Sequence, residues 1–197
     1  MVNEFPELQG IMGEKYALHF GEDAAVAQAV REHYLPVSAN GDLPTTSIGS
    51  IVSIADKLDT IIGCISVGLV PTSSQDPLGL RRQAIGILRI LLSEKWNLSI
   101  EQLVEQVCEN YNVTVEEIRA EIKQFFTNRA AYILNEKEIE QDVVQAVLAN
   151  GVGILHDKLE KASLLSEKRN DPAFKEIEES FTRVMKLGKK YIEKNID

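Results

Sequence analysis

Two aspartates one helical turn apart, Asp56 and Asp59 in the run SIADKLD at residues 53–59, are the first side chains whose types could do chemistry. Carboxylates joined by an imidazole such as His33 are the ligand types of metal-assisted phosphoester hydrolysis, where a bound cation polarises the phosphoryl oxygen and activates water. Such a site needs several His and Asp ligands converging from different helices. The three histidines, His19, His33 and His156, lie in unrelated segments, and the His156-Asp157 pair follows ADKLD by about a hundred residues. His33 with Asp56 alone makes a ligand-poor metal site. Asp56 and Asp59 read more economically as carboxylates in a buried helix, because charge persists in a core only when paired. Arg81 and Arg82, which close PTSSQDPLGLRR at residues 71–82, are the expected partners.

Other chemistries find less support. Cys64 and Cys108 sit in apolar helical patterns with no companion at metal-ligand spacing, and read as buried free thiols. There is no G-x-S-x-G elbow, and GVG at 151–153 lacks the later glycine and preceding strand of a dinucleotide loop. No catalytic residue is expected. The more informative pattern lies near the C-terminal end, where Arg183, Lys186, Lys190 and Lys194 recur at steps of three, four and four, with Lys189 beside them. That spacing draws one cationic stripe along a helix, opposite a seam of Phe174, Ile177, Phe181, Val184 and Tyr191. A stripe of cations can follow a phosphate backbone without reading bases, although a solvated polar face has the same pattern.

The elements that must carry these residues are helices. Almost every periodic stretch has a 3.6-residue period, which predicts an all-α fold. Helices are expected at 24–32, at about 47–63 with Ile48, Ile51, Ile54, Ala55, Leu58 and Ile62 on a buried face, and at about 78–96 behind Asp76 as N-cap and Pro77 as first helical residue. Capping-box patterns at Ser99/Gln102 and Thr114/Glu117 start two more, running through Val107 and Leu134; others span about 138–149 and 172–194. A boundary near 97–99 divides the chain into residues 1–96 and 97–197.

Charge limits the partners. The 197 residues carry a net charge of -9, spread as -4 over 1–95, -4 over 96–136 and -1 over 137–197. No region is a basic domain, so nucleic-acid contact would come from local stripes and would be salt-sensitive. No apolar run is long enough to span a bilayer and the start MVNEFPELQG is not a secretory signal, so a cytoplasmic location and no membrane partner are expected.

Four stretches, EFPELQGIMGEKYA (4–17), REHYLP (31–36), SIADKLDTIIG (53–63) and LVPTSSQDPLGLRRQAIGILRILL (69–92), in this order and spacing, resemble the beta subunit of bacterial-type glycyl-tRNA synthetase. FFTNRAAYIL (125–134), DVVQAVLANG (142–151) and SFTRVMKLGKK (180–190) look like helices of that family's anticodon-binding domain. The family often has Gly and Lys where this chain has Ser73 and Gln75. The resemblance implies an HD-domain-like helical bundle over 1–96 with degenerate metal ligands, followed by an incomplete anticodon-binding-like bundle over 97–197. It implies an internal or C-terminal-region piece of a longer subunit, inactive alone, that binds glycine tRNA and the alpha subunit. The whole enzyme would join glycine to tRNA with ATP and Mg, neither held by this piece; DNA is not an expected partner. Arg183, Lys186, Lys190 and Lys194, with Arg129 from FFTNR, are the expected tRNA contacts. The rival readings are an HD-type phosphohydrolase using His33 and Asp56, and a purely structural helical scaffold.

Overall fold

The computed structural model describes residues 4–72, 75–111 and 114–194, with the side chains of residues 115, 117, 189, 190 and 192–194 outside that set. Every regular element among the described residues is helical: α1 (Ile11–His19), α2 (Ala24–Glu32), α3 (Ser47–Ser66), α4 (Leu80–Glu94), α5 (Ile100–Cys108), α6 (Val115–Glu136), α7 (Gln141–Leu148), α8 (Leu155–Lys168) and α9 (Pro172–Lys194). The all-α expectation holds.

Helices α3 and α4 form the centre. They run antiparallel, since Ser50 in the first turn of α3 donates its hydroxyl to Glu94 at the last residue of α4, 2.9 Å away. Ile54, Leu58, Ile61, Ile62 and Ile65 of α3 interlock with Leu80, Ala84, Ile87, Leu88 and Leu91 of α4 in one continuous core. Helices α1 and α2 pack together, and α2 lies on α3. On the other side, Val104 and Cys108 of α5, Phe126, Ala130 and Leu134 of α6, Val144 and Leu148 of α7, and Leu155 and Ala162 of α8 extend the same core. Arg169 clamps the end of α8 to the start of α7 through Glu140 and a bidentate pair with Asp142 at 3.1 and 2.8 Å.

Three sequence expectations shift. In α3 the buried face is turned away from Ile48, Ile51 and Ala55, which are exposed, and toward Ser50, Ser53 and Lys57, which are buried. The polar face can turn inward because each of those three side chains finds an acceptor. Helix α4 begins at Leu80 behind a left-handed Gly79 (φ 64°), three residues after the expected start. The Asp76 carboxylate still caps it from a turn away, accepting the N–H groups of Leu80 and Arg81 at 2.8 and 3.0 Å. Helices α1 and α8 were not anticipated. The Ser99/Gln102 capping box is present in both directions, whereas the Glu117 half of the second lies outside the described residues.

Candidate nucleic-acid interface

The cationic stripe sits on α9, a helix opened by Pro172 and by Asp171, whose side chain accepts the Ala173 N–H at 2.9 Å. Arg183 and Lys186 are exposed. Arg183 makes one contact within its own helix, to Glu179 at 3.4 Å, an exposed i,i+4 pair of little energetic weight. Lys190 and Lys194 belong to the same helix, but their side chains lie outside the described residues. The opposite face is exposed too: Ile177, Phe181 and Val184 are each more than 60% accessible. Helix α9 thus offers both a cationic and an apolar surface, and none of its described side chains belongs to the core.

A second group of cations gathers at the start of α4. Arg81 does not turn to the aspartates of α3 as expected; its Nε meets the Asp76 carboxylate at 3.3 Å. Burial pushes the Asp76 carboxyl up, but the N–H groups of Arg81 and Leu80 and the Arg81 guanidinium outweigh it and hold the acid below the usual carboxylate range. Arg129 of α6 comes close to the same pair. Burial and the Arg81 charge both lower its pKa, and Asp76 offsets part of this. Its guanidinium lies 4.1 Å from the centre of the Phe125 ring and donates to the Phe125 carbonyl at 2.9 Å. Arg129 is therefore half-buried against its own helix, less available to an outside phosphate than the α9 cations.

Asp56 and Asp59 are exposed, which removes the premise that they are buried charges in need of neutralisation. Asp56 and Arg82 line one cleft of about 220 Å³ with Gln9, Tyr34, Lys57, Thr60 and Gln83. Arg82 is exposed and folds back over Gly79. The backbone carbonyl of Asp59 accepts a hydrogen bond from the Tyr111 hydroxyl at 3.2 Å. The His33 ring lies tilted against that of Tyr34, 3.8 Å between centres, and its Nδ1 is 2.8 Å from the Val30 carbonyl oxygen. Among the described residues no group of three or more His, Cys, Asp or Glu side chains could hold a metal ion, so His33 and Asp56 have no set of ligands around them.

The polar residues that do organise this half of the molecule escaped the sequence reading. The Glu32 carboxylate, 4% exposed, accepts from the Thr45 and Thr46 hydroxyls at 2.6 Å each, from both their N–H groups, and from Gln28. Burial alone would raise its pKa; these donors bring it down to about 2. Lys57, also 4% exposed, donates to the His33 carbonyl at 2.8 Å and the Ser53 hydroxyl at 2.9 Å, and burial lowers its pKa to about 8 against a small opposing effect of Asp56. Ser53 in turn donates its hydroxyl to the Leu35 carbonyl at 2.6 Å. Arg89 donates to the Ala39 and Gly41 carbonyls at 2.7 and 2.9 Å, tying down the loop between α2 and α3. The available signal was Ser50, Ser53 and Lys57 at helical spacing within an otherwise apolar helix.

Comparison with known proteins gives these surfaces a context. Residues 1–149 match the family described as glycyl-tRNA synthetase beta subunit. Curated relatives include the glycine–tRNA ligase beta subunits of Oceanobacillus iheyensis, 56% identical over 194 residues and 96% of this chain, and of Bacillus subtilis, 48% identical over 196 residues and all of it. The Lactiplantibacillus plantarum protein of the same name is 42% identical over 197 residues, covering 96% of this chain. In each case the chain spans 28% of the relative's length. A family match over most of the chain, with relatives of this identity along nearly all of it, shows that the chain belongs to the glycyl-tRNA synthetase beta-subunit family.

Proposed function

We propose that this chain is a tRNA-binding and subunit-contact part of a glycyl-tRNA synthetase beta subunit, supporting the ATP-dependent attachment of glycine to its tRNA by an assembly with the alpha subunit. Membership of the family carries the reading. The chain supplies no catalytic residue; adenylate chemistry, with ATP and Mg, belongs to the rest of the enzyme. Residues 1–96 act as an HD-like unit without metal chemistry and 97–197 as an anticodon-binding-like unit, working in the cytoplasm.

The RNA contact is assigned to Arg183, Lys186, Lys190 and Lys194. Support comes from the exposure of Arg183 and Lys186 on a helix clear of the core, where a long phosphate backbone can approach without displacing packing. Arg129, held against Phe125, acts as a secondary contact. The alpha subunit is assigned to the exposed apolar strip Ile48, Ile51 and Val52 of α3, one helical face left outside the core.

The test is tRNA binding by the full assembly as a function of salt. Reversing Arg183, Lys186, Lys190 and Lys194 to Glu should weaken tRNA binding at least about tenfold and flatten the salt dependence. Unchanged affinity and salt slope would remove α9 from the RNA interface.

A further inference from the structure

The cleft between α3 and α4 gathers charges that do not neutralise one another. Asp56 and Lys57 reach it from α3, Arg82 from α4, and Tyr34, Pro36 and Val37 from the connection between α2 and α3. Lys57 is the anomaly among them. Its side chain is buried, yet both groups to which its ammonium donates, the His33 carbonyl and the Ser53 hydroxyl, are uncharged. An ammonium has three N–H donors, so one is left, and a buried charge without a counter-ion is costly. Burial holds this amine down to about 8, as expected of a cation whose compensation is incomplete. Among the described residues, the Arg82 guanidinium and the Asp56 carboxylate also have no hydrogen-bond or ion-pair partner.

Size and charge together define what fits. A volume of about 220 Å³ lies below the roughly 300–1,000 Å³ of sites for drug-sized ligands, which excludes a nucleotide and leaves room for a small molecule. A simple anion would be repelled by Asp56, and a simple cation by Arg82 and Lys57. A molecule carrying both a carboxylate and an ammonium answers all three charges. The planar fork of an arginine matches a carboxylate, and Tyr34, Pro36 and Val37 offer apolar surface to a short side chain.

We propose that this cleft binds a free α-amino acid, its carboxylate received by Arg82 and Lys57 and its ammonium by Asp56. The bound carboxylate supplies the counter-ion that Lys57 lacks. None of these residues belongs to the surfaces assigned to RNA or to the alpha subunit, so the site stands or falls apart from those assignments.

Calorimetric titration of the 197-residue chain with the common α-amino acids, each up to about 20 mM, tests this. At least one should saturate the chain with a Kd of about 1 mM, and acetate, methylammonium and inorganic phosphate should bind at least about tenfold more weakly. Arg82→Gln should weaken the amino acid about tenfold or more. Asp56→Asn should weaken it by a similar factor and abolish its preference over acetate. Both side chains are exposed, so unchanged midpoints of urea unfolding should accompany the two variants. The proposal is overturned if no amino acid saturates the chain in this range, or if binding is indifferent to both substitutions. Phosphate binding as tightly as the best amino acid also overturns it, because the cleft would then be a plain anion site.

Discussion

The Thr46 hydroxyl donates to Glu32 at 2.6 Å and accepts the N–H of Gly49 at 3.0 Å, so the carboxylate at the end of α2 fixes the cap at the start of α3. The negative charge also sits where the α3 dipole favours it. Glu32→Gln keeps the size but turns one acceptor into a donor facing threonine donors. A loss of about 2 kcal/mol in urea unfolding at pH 7 is expected. Because the folded pKa is depressed to about 2, this contribution is complete above the unfolded value of 4.5. It is lost as pH falls toward 2, so the deficit of the variant should shrink over that window.

Gly49 gives a sharper steric test of the same junction. A Cβ there would overlap the Glu32 carboxylate and lie 2.7 Å from the Glu32 Cβ. Helix propensity alone predicts that Gly49→Ala stabilises by roughly 1 kcal/mol. The packing predicts the opposite sign, a loss of about 1–3 kcal/mol from overpacking. Chemical denaturation of the variant distinguishes the two.

Lys57 should give a pH signature at the alkaline end. Its folded pKa of about 8 lies below the ordinary 10.5, so between these values the unfolded chain binds the extra proton. Stability from this group therefore rises with pH through that interval. Compared with Lys57→Met, the unsubstituted chain should gain stability between pH 8 and pH 10, read from unfolding midpoints. A parallel pH course for both proteins would contradict the assignment of a buried amine.

Ser50 and Glu94 provide a coupling test across the central hairpin. A double-mutant cycle with Ser50→Ala and Glu94→Gln should show an interaction of about 0.5–2 kcal/mol, since the pair joins the start of α3 to the end of α4. A coupling near zero would mean that apolar contacts alone align the two helices.

The sequence made some of this legible because local chemistry and tertiary packing agreed. Helices α2 and α9 span the expected residues, and Ser99 with Gln102 marked the start of α5 by reciprocal side-chain bonds that need no outside partner. Helix α1 was missed because none of its residues is buried, so no apolar stripe announces it. Helix α8 was missed because Ile154 caps it without a side-chain hydrogen bond. The turned face of α3 depends on acceptors supplied by distant segments, namely Glu94 and the His33 and Leu35 carbonyls. Periodicity sees hydrophobicity and not such partners, so it placed Ile48 and Ile51 inside. Arg81 follows the same logic: its acid is the cap five residues back, and Asp56 and Asp59 face outward.

Cys108, at the last residue of α5, has 2% of its surface exposed, and burial, helped by Glu105, raises its thiol pKa. Cys64 on α3 is only half-buried. The two thiols therefore form a built-in pair of clocks: alkylation of Cys64 can proceed from the folded state, whereas alkylation of Cys108 waits for α5 to part from the core and times that opening.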